Sequence, residues 1–186
     1  MKLYFYHLVN KGSDLSRGLL SLQYMYDYNM HDLFFKYSNK YRKRIVCDWG
    51  LFKYKSRRPE SLSYDEIIDG LNLFRGHDGS RCIYFFRYPP YKVLGPRMHE
   101  ILNFKDIYRI DINDEKVREC IQSIFWGYEN SFSANPILDK KYYEEVSCKE
   151  YFSMYDDSLG MNFSTINHIA IVFKDDYCPI EFLEKV

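Results

Sequence analysis

The stretch HIAIVF at residues 168–173 decides the fold, because five of its six residues are apolar. A nearly continuous apolar run of this length is typical of a strand that is covered on both faces, so we predict a central strand here. The stretch RCIYFFR at 81–87 predicts a second, strongly aromatic strand. It ends before Pro89 and Pro90, which cannot continue a hydrogen-bonded ladder.

Two further stretches have the bulky or alternating character of strands, LYFYHLV at 3–9 and DIYRIDI at 106–112. Helices are predicted where apolar residues recur at helical spacing: one or two within 19–37, a short one at 97–104, and one at 114–126. The pattern Ser63-x-x-Glu66 is a capping box and predicts a helix that begins there and stops near Gly76. A second box, Ser147-x-x-Glu150, predicts another helix start.

Two segments stay open at this stage: 41–55 between strand and loop, and 179–186 between helix and strand. No repeat, low-complexity tract or linker divides the chain. We therefore predict a single α+β domain over residues 1–186, with a mixed, mainly antiparallel sheet packed with several helices.

The composition favours a folded protein, with 46% hydrophobic residues and a formal net charge of zero over 186 residues. No run approaches the roughly 20 apolar residues that span a bilayer, and the apolar run at 3–9 is short for a signal peptide. The five cysteines are odd in number and widely spread, which favours reduced thiols. We expect a cytoplasmic protein with no membrane partner.

Residues 40–58, here called the basic segment, carry eight Lys or Arg residues against one acidic residue, Asp48. Basic side chains neutralise phosphates, and interleaved aromatic rings stack on unpaired bases. One interpretation is therefore a nucleotide or nucleic-acid interface, for which the candidate binding residues are Arg42, Arg44, Arg57 and Arg58. The other interpretation is a solvated surface whose charges pair with the acidic remainder of the chain.

Specific catalytic motifs such as a Walker loop, GxGxxG, GxSxG or HExxH do not occur in the sequence. The five histidines are scattered without helical pairing, so no metal site is expected. His7 lies inside the first predicted strand beside a polar, glycine-containing loop. It is either a core or rim histidine bonded to the backbone, or a fixed imidazole presented to a ligand hydroxyl or phosphate.

Four short patches, in order along the chain, resemble the His…Tyr…Glu arrangement of the ADP-ribosyltransferase-like superfamily: Tyr6-His7, Arg17-Gly18-Leu19-Leu20, Ile83-Tyr84-Phe85-Phe86 and Glu144-Glu145. The resemblance implies binding of NAD and transfer of ADP-ribose to a protein or nucleic-acid acceptor. His7 would hold the ribose, Tyr84 would stack on nicotinamide, and Glu144 or Glu145 would stabilise an oxocarbenium-like ribose.

The chain departs from that superfamily in two ways. No Ser-Thr-Ser triplet follows the middle strand, and the glutamates lie in YYEEVS without the usual Q/E-x-E spacing. Glu181 is a rival for the acidic role.

The loop between Arg75 and Arg81 combines glycines with charge and has two interpretations. Backbone N–H groups and the two arginines could bind an anion, or the segment is a helix-to-strand turn. Candidate binding residues outside the basic segment are therefore Arg17, Arg75 and Arg81. Two other functions stay open: a non-enzymatic nucleic-acid- or protein-binding module that uses the basic segment, and a structural or inhibitory partner protein.

Overall fold

The computed structural model describes residues 2–48, 52–54, 56–75, 79–87, 89–90, 98–128, 144–147 and 166–186. Its strands are, in chain order, β1 Tyr4–Asn10, β2 Leu19–Leu20, β3 Ile83–Phe86, β4 Lys105–Asp111, β5 Ile121–Tyr128, β6 Glu144–Ser147, β7 Ile166–Phe173, β8 Tyr177–Cys178 and β9 Glu184–Lys185. Its α-helices are α1 Leu22–Asp27, α2 His31–Lys43, α3 Tyr64–Arg75, α4 Met98–Phe104 and α5 Glu115–Cys120. Short 3-10 turns cover Phe52–Tyr54, Pro59–Ser61 and Ile180–Phe182.

Most strands of the described ranges form one sheet in the order β6-β5-β7-β3-β1-β4-β9, and every pair in it is antiparallel. β2 and β8 pair separately as a short ribbon. The α+β class with a mainly antiparallel sheet is therefore confirmed. The prediction for 168–173 is also confirmed, because β7 lies between β5 and β3 and its residues 169–173 are all buried.

The helices α1, α2 and α3 enclose a core of their own, distinct from that of the sheet. Its buried residues include Met25, Phe34, Ile67 and Leu71. α2 runs on into a π-helical turn at Arg44–Asp48, so this part of the basic segment is helical rather than strand or loop. Burial of Ile45 in the helical core stabilises that outcome.

The capping box at Ser63 forms as predicted. The Glu66 backbone N–H donates to Ser63 Oγ at 3.2 Å, and the Ser63 N–H donates to the Glu66 carboxylate at 2.9 Å. Each side chain thus satisfies a backbone donor that the first turn of α3 leaves unpaired.

The prediction of one helix over 114–126 is wrong in its second half. α5 ends at Cys120, and residues 121–128 form β5, which pairs with both β6 and β7. Ile121 and Ile124 fit a helical face, but the segment stabilises the protein more as a strand that fills the sheet beside β7. Pairing with two strands overrides the local periodicity.

Three details complete the comparison with the sequence. Ser147 ends β6, and the helix predicted from its capping box lies outside the described residues. Cys82, Cys120 and Cys178 are free thiols. Within the described ranges, no helix has the length and apolar character that crossing a membrane requires.

Candidate functional site

A cavity of about 510 Å³ opens where the C-terminal end of β1 meets the N-terminal end of β3 and the helices α1 to α3. We call it the strand-end cavity. Its apolar wall comes from both layers of the molecule and includes Leu20, Met25, Leu33, Leu71 and Ile83. Its polar and aromatic wall includes His7, Asp14, Lys36, Tyr37, Tyr41 and Lys105. A concave site of this size is the usual form of a small-molecule site, and here apolar and polar residues share the lining.

His7 enters the wall of this cavity from β1 in a fixed orientation. Its Nδ1 lies 2.6 Å from the Tyr84 carbonyl oxygen, and its ring centroid lies 5.5 Å from that of Phe85. Because a carbonyl can only accept, Nδ1 carries the proton and donates it. In a neutral imidazole Nε2 is then the acceptor nitrogen, which suits a ligand hydroxyl.

Tyr84 meets His7 through its main chain rather than its ring. The register Tyr6↔Phe86 sets His7 opposite Phe85, so the side chain of Tyr84 lies on the other face of the sheet. There the ring packs against the buried pair Ala170 and Val172. Tyr84 belongs to the cavity wall, but the arrangement does not set its ring beside the imidazole as the nicotinamide-stacking role requires.

Glu144 and Glu145 lie on β6, at the edge of the sheet away from β1. The backbone register sets them opposite Trp126 and Phe125. β5, β7 and β3 stand between β6 and β1. Four strand spacings of about 4.8 Å separate β6 from the strand of His7 by about 19 Å along the sheet. The structure therefore brings His7 and the Tyr84 backbone together, and it leaves the backbone of both glutamates far from them.

Among the described residues that line the strand-end cavity, Asp14 is the one with a carboxylate. Its Oδ1 accepts the Ser16 backbone N–H at 2.8 Å. This bond holds the pKa of Asp14 below its ordinary value, so the group stays ionised at neutral pH. Asp14 is exposed, and so is Glu181, the rival in the sequence, which lies in the 3-10 turn at Ile180–Phe182 outside the described cavity wall.

The residues that sequence reasoning missed are Asp14, Lys36, Tyr37 and Lys105, whereas Tyr41 is predicted only as an aromatic ring of the basic segment that could stack on a base. None belongs to a recognisable motif. The helical spacing of Leu33, Tyr37 and Tyr41 could have shown that they share one face of α2. That this face lines a cavity depends on how the helices pack against β1 and β3.

Much of the charge in the described part of the basic segment is engaged within the molecule. Arg57 makes a two-pronged ion pair with Glu66, and Lys53 pairs with Asp69 at 2.6 Å. Arg42 is only 8% exposed, and its guanidinium lies 4.0 Å from the ring centre of Phe35. The ion pairs of Arg57 and Lys53 favour pairing with the acidic remainder of the chain, whereas the contact of Arg42 is with an aromatic ring. Arg44 and Arg58 are exposed.

The remaining candidate arginines do not converge on one site. Arg81 pairs with Asp176 and also donates to Gln122 at 3.1 Å, so it joins the loop before β3 to the turn after β7. Arg17 is exposed, and its guanidinium contacts the sulfur of Met30. Residues 76–78 and the side chain of Arg75 lie outside the described part of the chain, so the anion-binding interpretation of this loop stays a prediction.

A three-residue cluster joins the basic segment to α3. Lys53 and the Tyr54 hydroxyl both donate to Asp69 Oδ2. These donors hold the pKa of Asp69 below its ordinary value. Burial, together with the adjacent carboxylate, raises the pKa of Tyr54 to about 12. At neutral pH an ionised carboxylate is thus held by a cation and a neutral phenol.

We expect this cluster to make stability depend on pH in the acidic range. Because the folded pKa of Asp69 lies below its unfolded value near 4, its contribution is complete above that value and is lost as the pH falls through the folded pKa. Denaturant unfolding from about pH 6 to about pH 2 should show wild type losing more stability than Asp69→Asn. The exposed Asp175→Asn variant is the control and should follow wild type. Parallel curves for wild type and Asp69→Asn would contradict this account.

Comparison with known proteins finds no relative of this chain. No protein-family model matches the chain, and no curated protein or solved structure matches it either. The fold and the cavity thus define an α+β protein with a seven-stranded antiparallel sheet, within the described residues, and a cavity between that sheet and its helices.

Proposed function

We propose that the chain binds NAD in the strand-end cavity and is an ADP-ribosyltransferase-like protein. The observation that supports this most is the position of His7, which the Tyr84 carbonyl fixes in the wall of a cavity of ligand size. With its proton on Nδ1, the imidazole offers Nε2 to a ribose hydroxyl.

The other groups of the wall suit the remaining parts of a dinucleotide. Lys36 and Lys105 provide positive charge for a pyrophosphate. Tyr37 and Tyr41 provide aromatic surface for a base or the nicotinamide ring, the role that the sequence assigned to Tyr84. The apolar wall contributes burial of ligand surface.

The transfer step needs a carboxylate near the ribose, and this proposal gives that role to Asp14. The glycosidic bond between C1′ and the nicotinamide nitrogen breaks, and nicotinamide leaves with the electron pair. The ionised Asp14 would stabilise the positive charge that develops on the ribose. A nucleophile of the acceptor then forms the new bond at C1′ and releases its proton. A cytoplasmic location, where such a protein would meet NAD, is part of the same proposal.

Thermal unfolding with and without NAD tests the binding step. A ligand at about ten times its Kd stabilises the folded state by about 1.4 kcal/mol. For a domain of this size that corresponds to a rise in Tm of roughly 3–6 °C. His7→Ala should remove most of the rise, whereas His31→Ala, which lies outside the strand-end cavity, should retain it. Absence of a shift in wild type at about 5 mM NAD would contradict the proposal.

Release of nicotinamide tests the carboxylate separately. Asp14→Asn should keep the NAD-dependent rise in Tm and lose at least about 100-fold in turnover, as removal of a transition-state stabiliser does. Glu145→Gln should keep both. A loss of turnover in Glu145→Gln with retention in Asp14→Asn would restore the assignment made from the sequence and refute the one made here.

The alternative function, nucleic-acid or protein binding by the basic segment, has the exposed Arg44 and Arg58 in its favour. The ion pairs of Lys53 and Arg57 and the burial of Arg42 reduce the charge that it could use. Salt-sensitive binding of single-stranded RNA that is lost in the Arg44→Ala, Arg58→Ala double variant would support this function over the first.

A further inference from the structure

A second cavity, of about 480 Å³, lies between the turn that joins α1 to α2 and the start of α3, separate from the strand-end cavity. It is wide open to solvent, and most of its lining residues are exposed. We call it the α1–α3 cavity. It is lined by seven residues, none of which lines the first cavity: Tyr26, Asp27, Asn29, His31, Ser63, Tyr64 and Asp65.

Three of these residues give the cavity aromatic walls that are held in place. The rings of His31 and Tyr64 are stacked, with centroids 5.0 Å apart and planes 20° from parallel. The buried ring of Phe34 packs edge-on against Tyr64 and tilted against Tyr26. The Tyr26 hydroxyl donates to Asp65, which fixes the third ring at its outer end.

The two carboxylates of the cavity lack a positive partner within the described residues. Asp65 accepts the Tyr26 hydroxyl, and Asp27 accepts the Gln23 amide at 2.9 Å. Both donors are neutral, so they do not offset the charge. The lining therefore combines two exposed negative charges with aromatic rings, and neither charge is offset by an Arg or Lys as those of Glu66 and Asp69 are.

We propose that the α1–α3 cavity binds a guanidinium group, as carried by an arginine side chain. A guanidinium is planar and stacks on aromatic faces, and its fork of N–H donors matches carboxylate oxygens. An ammonium group is a more strongly hydrated point charge and gains less from flat aromatic walls. Binding here does not depend on NAD, since no wall residue is shared with the first cavity.

Calorimetric titration with arginine amide tests this site. For so small a ligand we expect a Kd of about 1–10 mM in wild type. Asp65→Asn and Asp27→Asn should each raise that Kd about three- to fivefold, since each removes one exposed charge. Glu119→Gln, an exposed carboxylate outside the cavity, should stay within about twofold of wild type. Circular dichroism establishes that each variant is folded.

Two results would overturn the proposal. One is no heat of binding with wild type up to about 50 mM arginine amide. The other is the same loss of affinity in Glu119→Gln as in Asp65→Asn, which would indicate attraction to general negative charge.

The source of the guanidinium is distinguished by a second probe. A short arginine-containing peptide that binds at least about tenfold more tightly than arginine amide would identify the ligand as a protein side chain. Equal affinities would identify a free small molecule. Lysine amide should bind several-fold more weakly than arginine amide, and equal or tighter binding of lysine amide would refute the preference for guanidinium.

Discussion

Replacing Gly18 with alanine is expected to lower the free energy of unfolding by about 3 kcal/mol. Gly18 has φ +80°, and a Cβ built there would lie 2.0 Å from the Cys178 carbonyl oxygen and 2.9 Å from the Ile180 nitrogen. The backbone conformation alone costs an L-residue about 1–2 kcal/mol, and overpacking adds about 1–3 kcal/mol. The ribbon of β2 and β8 must separate to admit the methyl group. Urea unfolding measures the loss.

Gly12 provides a matched control for this prediction. It has φ +77°, but no atom lies within 4 Å of the position that a Cβ would take there, so Gly12→Ala carries the backbone cost alone. We expect a loss of about 1–2 kcal/mol there. If Gly18→Ala proves no more destabilising than Gly12→Ala, the close approach of the β2–β8 ribbon to the 16–18 turn is wrong.

The second large effect is expected for Phe85→Ala, at about 3–5 kcal/mol of stability. Phe85 is 1% exposed and belongs to the core of the sheet, with its ring centroid 6.5 Å from that of Phe173. Truncation leaves a cavity beneath β1 and β3 that rigid strands cannot fill completely. Because the ring also lies beside His7, we expect the imidazole to lose part of its fixed orientation.

Phe104→Ala is the control for the core substitution. Phe104 is 71% exposed at the end of α4, so its loss should change stability by no more than about 0.5 kcal/mol. Thermal or denaturant unfolding compares the two variants directly. A Phe85→Ala protein as stable as Phe104→Ala would contradict the burial of β3 in the sheet.

The fold could be predicted where one local signal dominates. The run at 168–173 and the capping box at Ser63 are such cases, since apolar continuity and reciprocal hydrogen bonds each act over a few residues. The segment at 121–128 could not be predicted, because Ile121 and Ile124 have helical spacing and would lie on opposite faces of a regular strand. They reach the same core through the register shift between Ile121 and Ser123, which no local pattern shows. Residues 121–128 form a strand because they pair with β7.

The candidate site could be predicted only in part, for a related reason. The sequence identified His7 as a candidate for contact with a ligand, but strand order and register determine what surrounds it. The register sets the Tyr84 ring on the opposite face, and the strand order separates Glu144 and Glu145 from β1. Lys36 and Lys105 reach one cavity from elements almost seventy residues apart, which no local motif records.

The central claim, that the strand-end cavity is an NAD site, is tested most directly by NMR of the ¹⁵N-labelled protein titrated to about 5 mM NAD. The account predicts that the backbone amides that shift cluster at residues 7–15, 36–41 and 105, around the cavity wall. It would be contradicted by a spectrum that NAD leaves unchanged, or by shifts that cluster in the α1–α3 cavity or the basic segment instead.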